Sequence, residues 1–260
     1  YHPETLDYRD RVHAAGGVLS VATLDAVEKF VQDCHNSHLW SKLLEVCPFA
    51  GSNLAAALVK LVYPGGVPSS LTNVNFVSGD YAETGANGGL NGNGATKYLN
   101  TGFNLQTHLP DNAHLSWYLR DDIGGVSNTI GLGAISGTDQ YWVGALTPNV
   151  QANTRLGQMA AATSSMPLAK AFYLASRTAP NLARLYRNGA LAGSDTTAVT
   201  HTKLNYPAFV FAYNNGAAAG GFVPGRISFY SIGHGLTDTE TQALHLAVRT
   251  LQQNLNRHIN

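Results

Sequence analysis

After Pro64-Gly65-Gly66-Val67-Pro68, a segment no helix can cross, the chain becomes a succession of short β-forming runs that lasts to Leu236. The runs are Lys97–Thr101, His114–Arg120, Thr129–Ala134, Gln140–Leu146, Ala171–Ser176, Ala183–Arg187, Ala208–Tyr213 and Arg226–Ser231. Turn residues separate them: Asp121-Asp122-Ile123-Gly124-Gly125, Ser136-Gly137-Thr138-Asp139, Asn188-Gly189 and Asn214-Asn215-Gly216. Parallel strands are usually joined by a crossover helix, and no helix is read between these runs. The pattern predicts a mainly β protein, an antiparallel sandwich or barrel.

Helical signals flank this region. Leu24, Val27, Val31 and Cys34 recur at three and four residues, predicting a helix over Ser20–Cys34 capped by Ser20 or Thr23. A second short helix is expected over Leu39–Glu45, ended by Pro48. Leu54–Val62 is apolar all round and reads equally as buried helix or buried strand. Thr237 and Glu240 form a capping box for a helix to about Arg257, with Leu244, Val248, Leu251 and Leu255 on one face. The expected organisation is a helical lead-in over 1–63 packed on a sandwich over 64–236, with a C-terminal helix over 237–260 in the same domain. A chain of 260 residues is at the upper size for one core.

Charge narrows the partners. Only 12% of residues are charged, half the usual share, so Asn, Thr, Ser, Gly and Tyr must wet the surface, which suits sugars better than phosphates. Lys and Arg total 16 against 16 Asp and Glu, leaving no excess positive charge for nucleic acid or an anionic membrane. No apolar run approaches the roughly 18 to 20 residues that cross a bilayer, and the chain is expected to be soluble. A first residue other than Met is expected of a processed product or an excised piece of a longer chain. Cys34 and Cys47, paired or as two buried thiols, leave the redox compartment open.

The residues that carry chemistry are few. The Gly-rich loop Gly85–Gly94 lacks the Gly-Lys-Ser/Thr arrangement and following helix of a phosphate cradle, and reads as a surface loop that borders a cleft at most. His114–Arg120 alternates Leu115, Trp117 and Leu119 with His114, Ser116, Tyr118 and Arg120. One face is core; the other is either a plain solvated surface or one on which Tyr118 stacks a sugar ring while His114 and Arg120 bond its hydroxyls. Asp139, Tyr141 and Trp142 follow on the next run, where adjacent aromatics point to opposite faces. The five Glu offer no converging pair for glycoside hydrolysis, and no His-x-x-x-His or Cys-x-x-Cys pair for zinc occurs.

Three stretches together resemble the concanavalin-A-like (laminin-G-like) jelly-roll domains of phage tail or structural proteins and of bacterial surface or secreted proteins. They are Gly89-Leu90-Asn91-Gly92-Asn93-Gly94-Ala95-Thr96-Lys97-Tyr98-Leu99-Asn100-Thr101-Gly102-Phe103, Leu185-Tyr186-Arg187-Asn188-Gly189, and Arg226-Ile227-Ser228-Phe229-Tyr230-Ser231-Ile232-Gly233 leading to Leu236-Thr237. The lead-in Arg11-Val12 to Ala15-Gly16-Gly17 is similar too. The resemblance covers the chain from about Tyr8 onward and implies an antiparallel jelly-roll sandwich. It further implies a glycan-binding, lectin-like module of a larger extracellular or virion-associated protein. The concave face would carry His114, Tyr118, Arg120, Asp139, Tyr141 and Tyr213 as ligand-binding residues. Such domains often hold calcium on loop carboxylates, which makes Asp121 and Asp122 the candidate ligands, with Asp80 and Asp139 beside them; no cofactor is required.

Two rivals share the fold. A polysaccharide lyase would draw His114, Tyr118, Arg120 and Gln140 into acid, base and uronate-neutralising roles on the same face, although neither alginate-lyase-like strand motifs nor the Glu-x-Asp-x-x-Glu motif of laminarinase-like hydrolases is recognisable. A ligand-free assembly domain would instead contact other domains of its chain or a second copy of itself through a broad apolar patch.

Overall fold

The computed structural model describes residues 1–123, 126, 128–145, 151–157, 162–198, 202–216 and 218–259. Gly124 and Gly125 of the first turn, and Leu146 at the end of its run, lie outside the described residues.

Two antiparallel sheets face each other. The first contains β1 (Leu43–Cys47), β3 (Tyr81–Ala82), β4 (Gly89–Asn91), β6 (Ala113–Leu119), β11 (Ala171–Ala179), β12 (Leu182–Arg187), β13 (Ala190–Asp195) and β17 (Arg226–His234). Its order is β13-β12-β11-β6-β17-β4-β3, and β1 shares the outer edge of β17 with β4. The second contains β2 (Thr72–Val74), β5 (Tyr98–Asn104), β7 (Thr129–Ser136), β8 (Asp139–Ala145), β9 (Gln151–Gly157), β10 (Ala162–Pro167) and β14 (Pro207–Val210), ordered β10-β9-β8-β7-β14-β5-β2. The two-residue strands β15 (Tyr213–Asn214) and β16 (Ala219–Gly220) flank it, β15 pairing parallel to β7. The chain is a mainly β, two-sheet antiparallel sandwich with helices at its N-terminal and C-terminal ends.

Alternation along β6 explains the layering. Leu115, Trp117 and Leu119 point into the core between the sheets with Tyr141, Val143, Tyr173 and Tyr230. Gly131 of β7 makes room for the indole, because a Cβ there would lie 2.1 Å from the Trp117 ring. Tyr118 faces the other way, into a second core with Phe172, Leu174 and Phe229 of the same sheet. The helices α1 (Pro3–Ala14), α2 (Val21–Asn36) and α5 (Asp238–Asn254) close that core with Tyr8, Phe30, Val31, Leu244, Val248 and Leu251. The molecule therefore has three layers: helices, first sheet, second sheet.

The predicted caps are present. The Ser20 hydroxyl accepts from Thr23 N, and Thr237 and Glu240 make a reciprocal capping box. Asn188 and Gly189 hold φ of 51° and 77° between β12 and β13, as a two-residue type I′ turn requires. Other expectations are corrected. Leu39–Glu45 is a 3₁₀ turn (Trp40–Lys42) followed by β1, because edge pairing with β17 overrides the helical spacing. The undecided Leu54–Val62 divides into one helical turn, α3 (Leu54–Ala57), and bridges to Val46 and Ser70. Helix α1, and the strands β9, β10 and β13, lie in stretches read as having no regular element.

The layers are tied by buried polar groups. Lys60 Nζ and Glu45 Oε2 form a fully buried ion pair 2.9 Å long, and Tyr230 donates to Glu45 Oε1 at 2.7 Å. Burial raises the Glu45 carboxyl above its ordinary range, against the pull of Lys60. Arg257, 1% exposed, donates to the carbonyls of Pro48, Phe49, Glu83 and Ser228 and to Gln252 Oε1. That guanidinium joins the lead-in, the segment just ahead of the Gly-rich loop, β17 and the end of α5.

Candidate functional site

The six residues expected on one face do not form one. His114, Tyr118 and Arg120 lie on the helix-covered side of the first sheet, whereas Tyr141 belongs to the second sheet and points into the core between sheets. Asp139 begins β8 and accepts from Thr202 N, and Tyr213 stands in β15, half-buried. The expectation failed because alternation of polarity reports which residues share a face, not whether another layer covers it.

His114 shows how that cover is satisfied. It is fully buried; its Nδ1 donates to the His234 carbonyl at 2.7 Å, its Nε2 accepts from Ser231 Oγ at 2.9 Å, and Ser116 donates to Ser231 Oγ at 2.6 Å. Burial holds the imidazole down at about pKa 4, partly offset by its bond to the His234 carbonyl. Ser231 and His114 have the spacing of a nucleophile and its base, but at zero exposure no substrate reaches them.

Arg120 is a structural residue too. Its Nη1 donates to the carbonyls of Gly85, Ala86 and Gly88 and so closes the Gly-rich loop against the sheet. The candidate calcium ligands answer separate cations: Asp121 accepts from Arg226 N and Nη1, while Asp122 accepts from Lys170 N at 3.0 Å. Asp80 pairs with Lys97. Among the described residues no three His, Cys, Asp or Glu side chains converge on a metal position. Cys34 and Cys47 are free, buried thiols; burial raises both, Cys47 to about 12.

One of the expected residues does border an open cleft. A cavity of about 430 Å³ opens where the end of the first sheet meets the C-terminal half of α5, lined by Tyr118, Asp122, Lys170, Arg187, Asn188, His245, Arg249 and the tail residues His258 and Ile259. Its volume lies in the range of small-ligand sites. Tyr118 lies 1% exposed, with its ring under the tail, and brings its hydroxyl within 2.9 Å of His258 Nδ1 while accepting from Ile259 N at 3.1 Å. Burial raises the Tyr118 phenol, so it stays protonated at neutral pH. His245 stacks on Phe172 with centroids 5.9 Å apart, and burial together with the nearby Arg249 lowers it to about 4. His258 is lowered by the same causes. The cleft therefore presents two imidazoles of lowered pKa beside the side chains of Lys170, Arg187 and Arg249.

Local sequence explains each position. Arg187 ends β12 and Asn188 opens the I′ turn, where the Asn188 carboxamide accepts from Phe172 N and fixes the turn to β11. Gly189 passes close under the helix: a Cβ there would lie 3.1 Å from the His245 ring. His245 and Arg249 are one helical turn apart on α5. That i, i+4 pair was visible in the sequence. Its partners were not, since only the docking of α5 beside the β12–β13 turn brings them together.

No family model and no curated protein sequence matches the chain. Solved structures do resemble it. The botulinum neurotoxin serotype D binding domain superposes with a TM-score of 0.51 at 11% identity, over 79% of this chain and 52% of that one. Domain 4 of AbnA, a GH43 extracellular arabinanase from Geobacillus stearothermophilus in complex with arabinotriose, gives 0.44 at 13% identity, over 71% and 83%. Trypanosoma rangeli sialidase in complex with the inhibitor DANA gives 0.46 at 15%, over 86% and 38%. The chain spans about half the length of the toxin chain and less of the sialidase. The likeness to the toxin domain is one of β-sandwich fold.

Proposed function

We propose that this chain is a concanavalin-A-like jelly-roll module that binds carbohydrate in the cleft beside α5, as part of a larger extracellular or virion-associated protein. The observation that carries the reading is the cleft: an open cavity of about 430 Å³ edged by the directional polar groups of Asn188, Tyr118, His258, Arg187 and Lys170 on a chain whose surface is otherwise poor in charge. Planar amide, guanidinium and imidazole groups match the fixed geometry of sugar hydroxyls. Among the structural neighbours, the arabinanase domain was solved in complex with arabinotriose and the sialidase in complex with the inhibitor DANA.

The test is incubation of the protein with a panel of plant, algal and bacterial polysaccharides, following both retention on the polymer and release of chain ends. Retention without release, lost in Asn188→Ala and Arg249→Ala, is the expected result. Release of unsaturated or reducing ends would replace the binding module with a polysaccharide-cleaving enzyme. Absence of both signals would favour a ligand-free assembly domain.

A further inference from the structure

We infer that the cleft selects an acidic sugar, seating its carboxylate or sulfate among Lys170, Arg187 and Arg249; the inference rests on the carbohydrate reading above. It comes from how the remaining cations are used. Lys42, Lys60, Lys97, Arg184, Lys203 and Arg226 each sit within 4 Å of a carboxylate. Arg11, Arg120, Arg177 and Arg257 direct their guanidinium groups at backbone carbonyls. These ten cations have partners within the chain, some buried and some at the surface.

The cleft departs from that pattern. Among the described residues, neither Arg187 nor Arg249 has a carboxylate within the ion-pair distance of 4.0 Å that matches those cations. Arg187 Nη1 meets the thioether of Met166 at 3.3 Å, a weak partner, and the guanidinium lies beside the Tyr173 hydroxyl; its buried Nε has no acceptor, as is also true of Arg120, Arg155 and Arg177 Nε. Lys170 reaches Asp122 at the limit of ion pairing, 3.9 Å, and the Asp122 side chain is 62% exposed. Three cations from a loop, a strand end and a helix thus line one cavity together with a single carboxylate, Asp122. A buried guanidinium nitrogen without a partner is costly, and an anion with two or three acceptor oxygens would satisfy it. A neutral sugar would leave Arg187 and Arg249 without an anionic partner, while Lys170 keeps its long contact to Asp122.

Matched polymers test this directly. Polygalacturonate and its fully methyl-esterified form differ in whether the carboxyl is an anion or a neutral methyl ester; a sulfated galactan and its desulfated form differ only in sulfate. Affinities of the intact protein for all four, with double-stranded DNA as a fifth probe, are measured at low and moderate salt. The expected result is that at least one acidic polymer binds tenfold or more tightly than its neutral counterpart and than DNA, and that Arg249→Ala removes most of that difference. The Arg249 side chain is exposed, so the substitution leaves folding intact, which a thermal melt verifies. Charge reversal in Arg249→Glu should abolish acidic binding. Equal affinity for the acidic and neutral members of both pairs would overturn the anion inference while leaving carbohydrate binding standing. Equal binding of DNA would overturn it in favour of unselective polyanion binding. Retention of none of the polymers would overturn both readings.

Discussion

The two faces of the first sheet bury polar groups in opposite ways. Toward the second sheet, the interior holds a charged pair, Lys60 with Glu45, steadied by the Tyr230 hydroxyl and the Thr101 carbonyl. Toward the helices, the buried polar side chains of the strands are neutral: His114, Ser116 and Ser231 bond to one another, and the Ser176 hydroxyl exchanges bonds with the backbone of Leu236. The contrast teaches that polarity in a strand does not mark a solvent face. Under a helical layer, alternating polar residues become an internal network, and only where the layer ends, at Tyr118, does the same face meet a cleft.

That comparison breaks most visibly at the ion pair. Lys60→Met should cost about 3–5 kcal/mol in urea denaturation, because it strands the Glu45 carboxyl in an apolar interior. Adding Glu45→Leu should recover most of the loss; if the double variant is as unstable as the single, packing rather than charge sets the cost. Next in size are Leu132→Ala between the sheets and Leu251→Ala under the helices, each expected to cost about 2–5 kcal/mol. A loss below 1 kcal/mol for Leu251→Ala would mean that the helical layer is a loose cover rather than a second core.

Acid should act on the neutral side. Buried His114 is depressed from 6.5 to about 4, so the unfolded chain takes up the proton first and stability falls as pH drops from 6.5 toward 4. The loss amounts to about 2 kcal/mol by pH 5, above the range where carboxylates titrate. His245, also near 4, contributes with the same sign but less, being partly exposed. Denaturation midpoints at pH 7.5 and 5 check this, and a His114→Gln variant that falls as steeply as the parent would remove His114 from the account. The smallest effect is at the helix entry: Thr237→Ala should cost about 1 kcal/mol through the lost capping box.

Legibility in the sequence follows from how local the determinant is. Turns such as Asn188-Gly189 and caps such as Thr237-x-x-Glu240 act over a few residues and were readable. Strand β1 was not, since its conformation comes from an edge of β17 almost 190 positions away. The cleft was missed for the same reason: Arg187, Arg249 and Lys170 are ordinary residues at the ends of their elements until α5 docks. Tyr118 was singled out for an exposed ring, yet it reaches the cleft by its hydroxyl.

The Arg257 clasp has a consequence in time. It joins residue 257 to Pro48 across 209 positions, a closure that local collapse cannot make early. At synthesis rates of 5–20 residues per second, roughly 10 to 40 seconds separate the two partners' appearance. Through that interval α1 and α2 have a sheet to lie on only in part and no α5 to close over them, so their apolar side chains wait in water. A newborn copy of this protein is therefore most open to chaperone capture, or to aggregation, along its lead-in, although in the finished molecule that region is firmly held.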